Sequence, residues 1–510
     1  MTDATVPGPA PGTVTAIEQQ QLDDSLRWIM RNGVGIQIME TLAVGAFLTA
    51  FALQLGANNL FIGLLAAVPH LSQLAQLPGV WLVDKSRERR KIYLRAGMVA
   101  RPMMLVIALV AFLPDGPIAL GVLLLAFTLR YVAGAILAVA WNSWMRDLVP
   151  DSQMGKVFGN RQQLMIIIGA LVSLVAAGFV DLWKVYAPYP ATFGYSIMYA
   201  LSFLFGAYAV WCARHIVEPK LVPPEDDLHL LDRLMAPLAD RNFKRLLKFM
   251  ASWSFAVNLA APFFAVMMLK GMGMSLTWVV FLSTLSQVAG FLTVRVWGTA
   301  ADRITNKAVL AFCGPLFIAC IFAWTFVPYD PGHWATIPLL AAIHVFTGIA
   351  SAGVSLAGGN ITLKLAPKGD ATAYLASSSV VNAAAAGIAA VLGGLTADFF
   401  AVRELSLVMH WQSPDRVLDI NTLHFSSWDF FFALATLIGL YSIHRLGYVE
   451  EQGQGHARDR AVVDVLSTMA RRGVRNLSTV AGLRVLTEFP MELFRRALRR
   501  DRSKDDDEGG

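Results

Sequence analysis

Residues 79–91 read GVWLVDKSRERRK. The stretch closes an apolar run with an acid, Asp84, and follows it with five basic residues, Lys85, Arg87, Arg89, Arg90 and Lys91, before a second apolar run begins. A basic block between two such runs reads as a cytoplasmic loop of a membrane protein, because Lys and Arg collect on that side. The block has an echo at residues 298–307, GTAADRITNK, where Asp302 and Arg303 again stand between apolar runs. Asp84 and Asp302 are 218 positions apart. The prolines of two Leu-X-Pro sites, Pro150 and Pro367, are 217 apart, and so are Asp181 and Asp398, which close the next apolar run in each copy. Glu40 and Asn258, polar residues inside the first run of each copy, are 218 apart. One spacing shared by four landmarks means that the chain contains one membrane unit twice.

Composition agrees. The 510 residues are 56% hydrophobic and only 15% charged, where a soluble chain is about a quarter charged. Mean hydropathy is +0.53. The apolar runs are long enough for membrane helices and too uniformly apolar for barrel strands, so the fold class is an all-α membrane protein. The net charge of +6 sits in alternate loops, which points away from nucleic acid and toward the lipid surface. Cys212, Cys313 and Cys320 lie in or beside apolar runs without a CxxC pair, so they read as small hydrophobes. The nine histidines are scattered, which gives no metal site and no cofactor.

The pattern predicts twelve spans in two six-helix halves, residues 33–214 and 246–446. The Pro- and Gly-rich start, within a cytoplasmic segment 1–32, reads as partly disordered and not as a signal peptide. A linker, 215–245, joins the halves, and a tail, 447–510, rich in Arg among Val and Leu, reads as an amphipathic helix on anionic lipid. Bases crowd the loops after even-numbered spans, while the opposite loops hold Lys184, Lys270, Arg403 and Arg416. Both termini are therefore expected in the cytoplasm. In the long loop 400–426, Leu405, Leu407, Val408 and Trp411 suggest a short surface helix.

Polar groups inside spans carry the functional information, since an ionisable side chain near the bilayer centre costs at least about 2.5–3.5 kcal/mol. Glu40 in span 1, Arg101 in span 3 and Arg130 in span 4 are the candidates for proton coupling, with Glu40 and Arg130 able to neutralise each other. Asn258 stands four residues before Pro262, which cannot donate to its carbonyl. Gln37, His70, Gln73, Asn258, Gln287 and His344 are the candidate lining of a substrate cavity. Small residues predict close helix contacts at Ala386, Ala390 and Gly394 and at Gly134 and Ala138, and Gly348, Gly353, Gly358 and Gly359 suggest a loosened span 10. Phe255, Phe263, Phe264, Trp278 and Phe281 are expected to face lipid.

These residues resemble the major facilitator superfamily of secondary transporters over about residues 30–450. The family's loop motif between spans 2 and 3 is represented by Asp84, Lys85, Arg89, Arg90 and Lys91, although its first glycine falls one residue early at Gly79 and Arg87 stands at its second. The second copy keeps Gly298, Asp302 and Arg303 at the family spacing, and the Arg-x-x-x-Gly motif of span 4 matches Arg130 and Gly134. The Gly-Pro motif that drug–proton antiporters carry in span 5 is missing from IIIGALVSLVAAGFV. The resemblance implies a cytoplasmic gate of Asp84, Lys85, Arg89, Arg90, Gly298, Asp302 and Arg303 with Arg146 as partner, and an Arg130 that tunes Glu40.

The expected function is therefore alternating-access transport of a small solute by a monomer in a bacterial inner membrane, driven by the proton motive force. An exporter of lipophilic compounds or lipids is the alternative on the same fold. A membrane-embedded enzyme or sensor is remote, because Gly155-Lys156 lacks the rest of a phosphate loop and Gly353-Val-Ser355 has Ala357 where a nucleophile elbow needs glycine. Replacing Asp84 by Asn is expected to weaken closure on the cytoplasmic side. Thiol accessibility from that side should then rise, and accessibility unchanged across conditions would count against the gate.

Overall fold

A computed structural model describes residues 16–219, 235–367, 371–413 and 416–451. Residues 1–15, most of the linker and the basic tail with its expected lipid contact lie outside the described residues. Among the described residues twelve helices are long and apolar enough to cross a membrane. They are α1 (Gln20–Gln54), α2 (Asn59–Ser86), α3 (Arg89–Val110), α4 (Pro117–Leu148), α5 (Asp151–Tyr186) and α6 (Ala191–Ala213), then α7 (Arg241–Gly271), α8 (Leu276–Arg303), α9 (Asn306–Phe326), α10 (Thr336–Leu365), α11 (Ala373–Phe400) and α12 (Ser427–Leu446). Several outrun the apolar stretches, α1 and α5 most of all, because a helix that leaves the bilayer need not end there: polar residues such as those at 18–31 continue it into water.

The two halves repeat one packing scheme. In the first, α1 packs on α5 and α6, α3 on α4 and α6, and α2 on α4; adding six to each number gives the contacts of the second. Between the halves the main seams are α2 with α11 and α5 with α8, which the same shift interchanges.

Those seams are tightest at the face bearing the α1–α2 connection, here the far face, as opposed to the terminal face from which α1 starts. A helix start leaves backbone N–H groups unpaired, and lipid cannot serve them. The Asp398 carboxylate of α11 accepts from Asn59 N at 3.2 Å and Leu60 N at 2.9 Å, so it caps α2 from the opposite half. Its repeat mate, Asp181 of α5, accepts from Leu276 N at 3.1 Å, Thr277 N at 2.7 Å and the Thr277 hydroxyl at 2.6 Å, capping α8. Backbones nearly touch below the first cap: a Cβ at Gly63 would stand 2.4 Å from the Ala390 carbonyl oxygen, and one at Gly394 2.6 Å from that of Asn59. Toward the terminal face the seam opens, and Gln76–Ser86 of α2 packs on α3 and α4 of its own half.

Three local expectations change. In place of a surface helix, β1 (Glu404–Ser413) pairs antiparallel with β2 (Arg416–Ser426), with an irregularity at Leu407/Val408. The apolar positions there alternate across a Ser-Pro-Asp-Arg turn signal, a period of two that a helix cannot use. Helix α10 is continuous, and two of its four glycines serve contact: a Cβ at Gly348 would meet the Ser286 carbonyl oxygen at 2.0 Å and one at Gly353 the Cys313 sulfur at 2.3 Å, while Gly358 and Gly359 have room beside them. Gly134 faces open space, and α4 instead approaches α2 at Gly79, where a Cβ would meet Ile136 Cα at 3.3 Å.

The crossed caps predict a conformational effect. An N-cap carboxylate replaced by alanine loses about 1 kcal/mol, so Asp181→Ala with Asp398→Ala should favour far-face opening by roughly 30-fold. Labelling of a Thr49→Cys reporter in the cavity by an impermeant maleimide added at the far face should speed up. An unchanged rate would show that the caps do not hold the halves together.

Candidate functional site

Helix α1 is interrupted in mid-membrane. Its helical segments run Ala16–Ala43 and Ala46–Gln54, and between them Gly45 takes φ 66°. That left-handed conformation strains any residue with a Cβ, which is why glycine stands here although nothing lies within 4 Å of where its Cβ would be. Three lobes of cavity, about 310, 270 and 160 Å³, all touch Gly45.

Glu40 stands on the wall of the second lobe, beside Gln37 and Thr41 of α1 and opposite Gln287 and Thr284 of α8. Its side chain is 37% exposed and makes an ion pair with Arg130 of α4, which is only 3% exposed. The guanidinium of Arg130 also lies 4.5 Å over the Tyr131 ring, while its Nε and Nη1 are buried without a hydrogen-bond partner. Arg101 is buried in the same half, where a Cβ at Gly206 of α6 would touch its Cδ at 3.0 Å. Arg101 lies within electrostatic reach of Glu40, Arg130 and Tyr93. Tyr93 in turn takes a hydrogen bond from Asn32 Nδ2 at 3.0 Å, and the same nitrogen donates to the Ala209 carbonyl at 2.7 Å. Interior charge in this half is thus concentrated around α1, α3 and α4, the three helices the sequence singled out.

The other predicted lining residues divide. His344 of α10 lines the first lobe; a bond between its Nδ1 and the Leu340 carbonyl at 2.8 Å assigns the proton to Nδ1 and leaves Nε2 as an acceptor. Its ring meets Trp324 edge-on at 5.6 Å. His70 of α2 and Asn258 of α7 interact across the halves, and Asn258 Nδ2 also donates to the Ser254 carbonyl at 2.8 Å. Gln73 is exposed on α2, in contact with Gln76. Among the aromatics, Trp278 and Phe281 are exposed as expected, but Phe263 is buried against Phe431 and Phe264 stacks on Trp324 at 4.7 Å on the cavity wall. Both belong to the buried stripe of an amphipathic α7, which sequence hydrophobicity alone does not tell from a lipid-facing one.

At the terminal face the residues expected to form a gate make no ion pair with one another among the described residues. Asp84 and Asp302 are exposed, and among the described residues neither makes an ion pair; Arg146, Arg90 and Arg303 are exposed too. Lys85 lies 4.7 Å over the Trp81 ring, and Gly298 merely touches Leu356. Arg89 differs, being fully buried: it pairs with Asp147 and donates to the Ser143 carbonyl at 3.0 Å and the Pro219 carbonyl at 2.6 Å. Just after α6, Glu218 accepts from Arg90 N at 3.1 Å, and just after α12, Glu451 accepts from Lys307 N at 2.7 Å and Asn306 Nδ2 at 2.9 Å, so each half ties its end to the start of its third helix. Glu218, Glu451, Gly45 and the two capping aspartates were not singled out as functional. The aspartates were visible in the sequence only as marks of the repeat.

The sequence from residue 33 to 339 matches the family model described as Major Facilitator Superfamily. No curated relative matches it. Among solved structures, the chain is similar to the nucleoside transporter NupG, at 10% identity and a TM-score of 0.61 over 84% of this chain and 100% of that one. It is similar to a bacterial homologue of the human drug peptide transporters PepT1 and PepT2, at 14% identity and 0.57 over 88% and 99%. A bacterial homologue of the iron transporter ferroportin in an inward-facing state gives 12% and 0.57 over 86% and 100%. At such identities the likeness is one of fold.

Glu451 provides a pH test. Burial alone would raise its carboxyl, but hydrogen bonds from Lys307, Asn306 and Lys364 outweigh this and hold it below the ordinary carboxylate value. Its stabilisation is therefore complete above the unfolded value and is lost as pH falls through the lower folded one. Glu451→Gln should lower thermal stability at neutral pH by about 1 kcal/mol and flatten the acid-side decline. Parallel declines in the two proteins would deny the cap this role.

Proposed function

This chain belongs to the Major Facilitator Superfamily, and on that premise we propose that it is a proton-coupled secondary transporter of a small polar solute, working by alternating access. The observation that carries the reading is the Glu40 carboxylate, open to the central cavity on one side and held by buried Arg130 on the other. In a site of low dielectric such a pair has two stable arrangements: ionised and joined, or protonated and apart. Motion or cargo that separates them lets Glu40 take a proton, and rejoining expels it. The hydroxyl and amide groups of Gln37, Thr284 and Gln287 around it favour a polar solute over a lipophilic one.

With both termini in the cytoplasm, as the basic loops indicate, the far face is external and this conformation is open inward. The transporter then sits in a bacterial inner membrane as a monomer, drawing on the proton motive force. The exposed Asp84 and Asp302 are gate halves awaiting closure.

Glu40→Gln should insert and fold normally and still exchange solute across proteoliposomes, yet lose accumulation driven by a pH gradient. Undiminished pH-driven accumulation would remove Glu40 from the mechanism.

A further inference from the structure

We propose that the cargo is a small hydroxylated organic anion whose charged group takes the place of Glu40 on Arg130. The inference rests on the transporter reading above and names its substrate class. It begins with a charge inventory. Arg130 and Arg101 are 3% and 6% exposed. Arg161 of α5 reaches toward them from the terminal side, so close to α1 that a Cβ at Gly33 would stand 2.7 Å from its Nε, and it shares Tyr93 with Arg101 as an electrostatic neighbour. These guanidiniums keep their protons in any protein environment. Among the described residues, the carboxylate within electrostatic reach of Arg101 and Arg130 is that of Glu40. Asp181 and Asp398 are already engaged in capping helix starts at the far face.

The hydrogen-bond inventory says the same. Nε and Nη1 of Arg130, Nε of Arg101 and Nε of Arg161 are buried without an acceptor in the protein. A buried donor left unpaired incurs its full desolvation penalty, more so when charged, so such a set favours an incoming acceptor. The facing wall adds no charge of its own: Ser283, Ser286, Thr347 and His344 line one lobe and Gln287 another, groups suited to hydroxyls. A cation approaching Glu40 would be repelled by two guanidiniums within electrostatic reach of it, and a neutral solute would leave their excess charge unanswered.

The same geometry couples anion to proton. The titratable and charged groups facing Glu40 are Arg130 and Tyr131 from α4 and Arg101 from α3, with Tyr199 of α6 beside Arg130. A proton from the external side adds to the Glu40 carboxylate, Arg130 is freed, and the anion binds it. When the anion leaves to the cytoplasm, Arg130 reclaims Glu40 and the proton departs on that side. One proton and one negative charge cross together.

The test is thermal stabilisation of the purified full chain by matched solutes at acidic and neutral pH. Gluconate and lactate carry a carboxylate, glucose 6-phosphate a phosphate, glucose and glycerol no charge, glucosamine and ethanolamine an amine. Stabilisation by an anion, stronger at acidic pH and weak or missing for its neutral and amine counterparts, is expected, and the carboxylate and phosphate arms tell which anionic group is read. Glu40→Gln should bind that anion at neutral pH as tightly as the native protein does in acid. Arg130→Gln should weaken it by more than about tenfold, as loss of a charge-assisted pair implies. Preferential stabilisation by glucose, glycerol or an amine in the native protein would overturn the assignment whatever the variants do. Stabilisation by no solute of any charge would instead sink the small-solute reading, and the assignment with it.

Discussion

A helix that begins inside or at the edge of a membrane must find acceptors for its first backbone N–H groups, and α2 and α8, besides their own Asn58 and Ser275 caps, find those for their first two on the opposite half of the molecule. Asp398 serves one and Asp181 the other, related by the internal repeat. Neither half satisfies these helix starts alone. The requirement draws the halves together at the far face and nowhere else with comparable strength, so the seam opens toward the terminal face and the cavity around Gly45 follows from it. The cost of separating the caps in lipid is what makes closure of that face a defined state.

Within the cavity the governing term is electrostatic. Glu40 is partly open to the space between the halves while Arg130 is sealed behind it, so the acid is the member of the pair that the cavity exposes. Interruption of α1 brings backbone and side chains of both halves around one point, Gly45, at the level of that pair. The N-terminal half thus supplies charge, and the wall facing it supplies hydroxyls, amides and rings.

Much of this was legible beforehand. Long apolar runs and the 217–218 spacing sufficed for twelve helices in two copies, because lipid leaves the backbone so few choices. Glu40 and Arg130 could be paired from the sequence, since two opposite charges inside apolar runs have few other partners. What escaped depended on tertiary contact. The far ends of Asp181 and Asp398 are helix starts some ninety and more than three hundred residues away in sequence, which no local pattern reports. Gly45 looks like any small residue in an apolar run until its dihedral angle is known. Gly348 and Gly353 suggested looseness because glycine weakens an isolated helix, whereas here each admits a neighbouring helix. The alternation in residues 404–426 was there to read and lost to a stronger expectation of helix.

The contact between Gly63 and Gly394 has a consequence for how the sequence can vary. Each glycine meets a peptide oxygen, which every residue type carries, so the contact is indifferent to what side chains the partner strand of sequence spells. The glycines themselves have no such freedom, since a single added carbon would collide with main chain that cannot turn aside. Along α2 and α11, then, lineages can drift widely at leucines that face lipid while these two letters stay fixed, and a homologue that changed one of them would have to separate the helices or abandon this closed face.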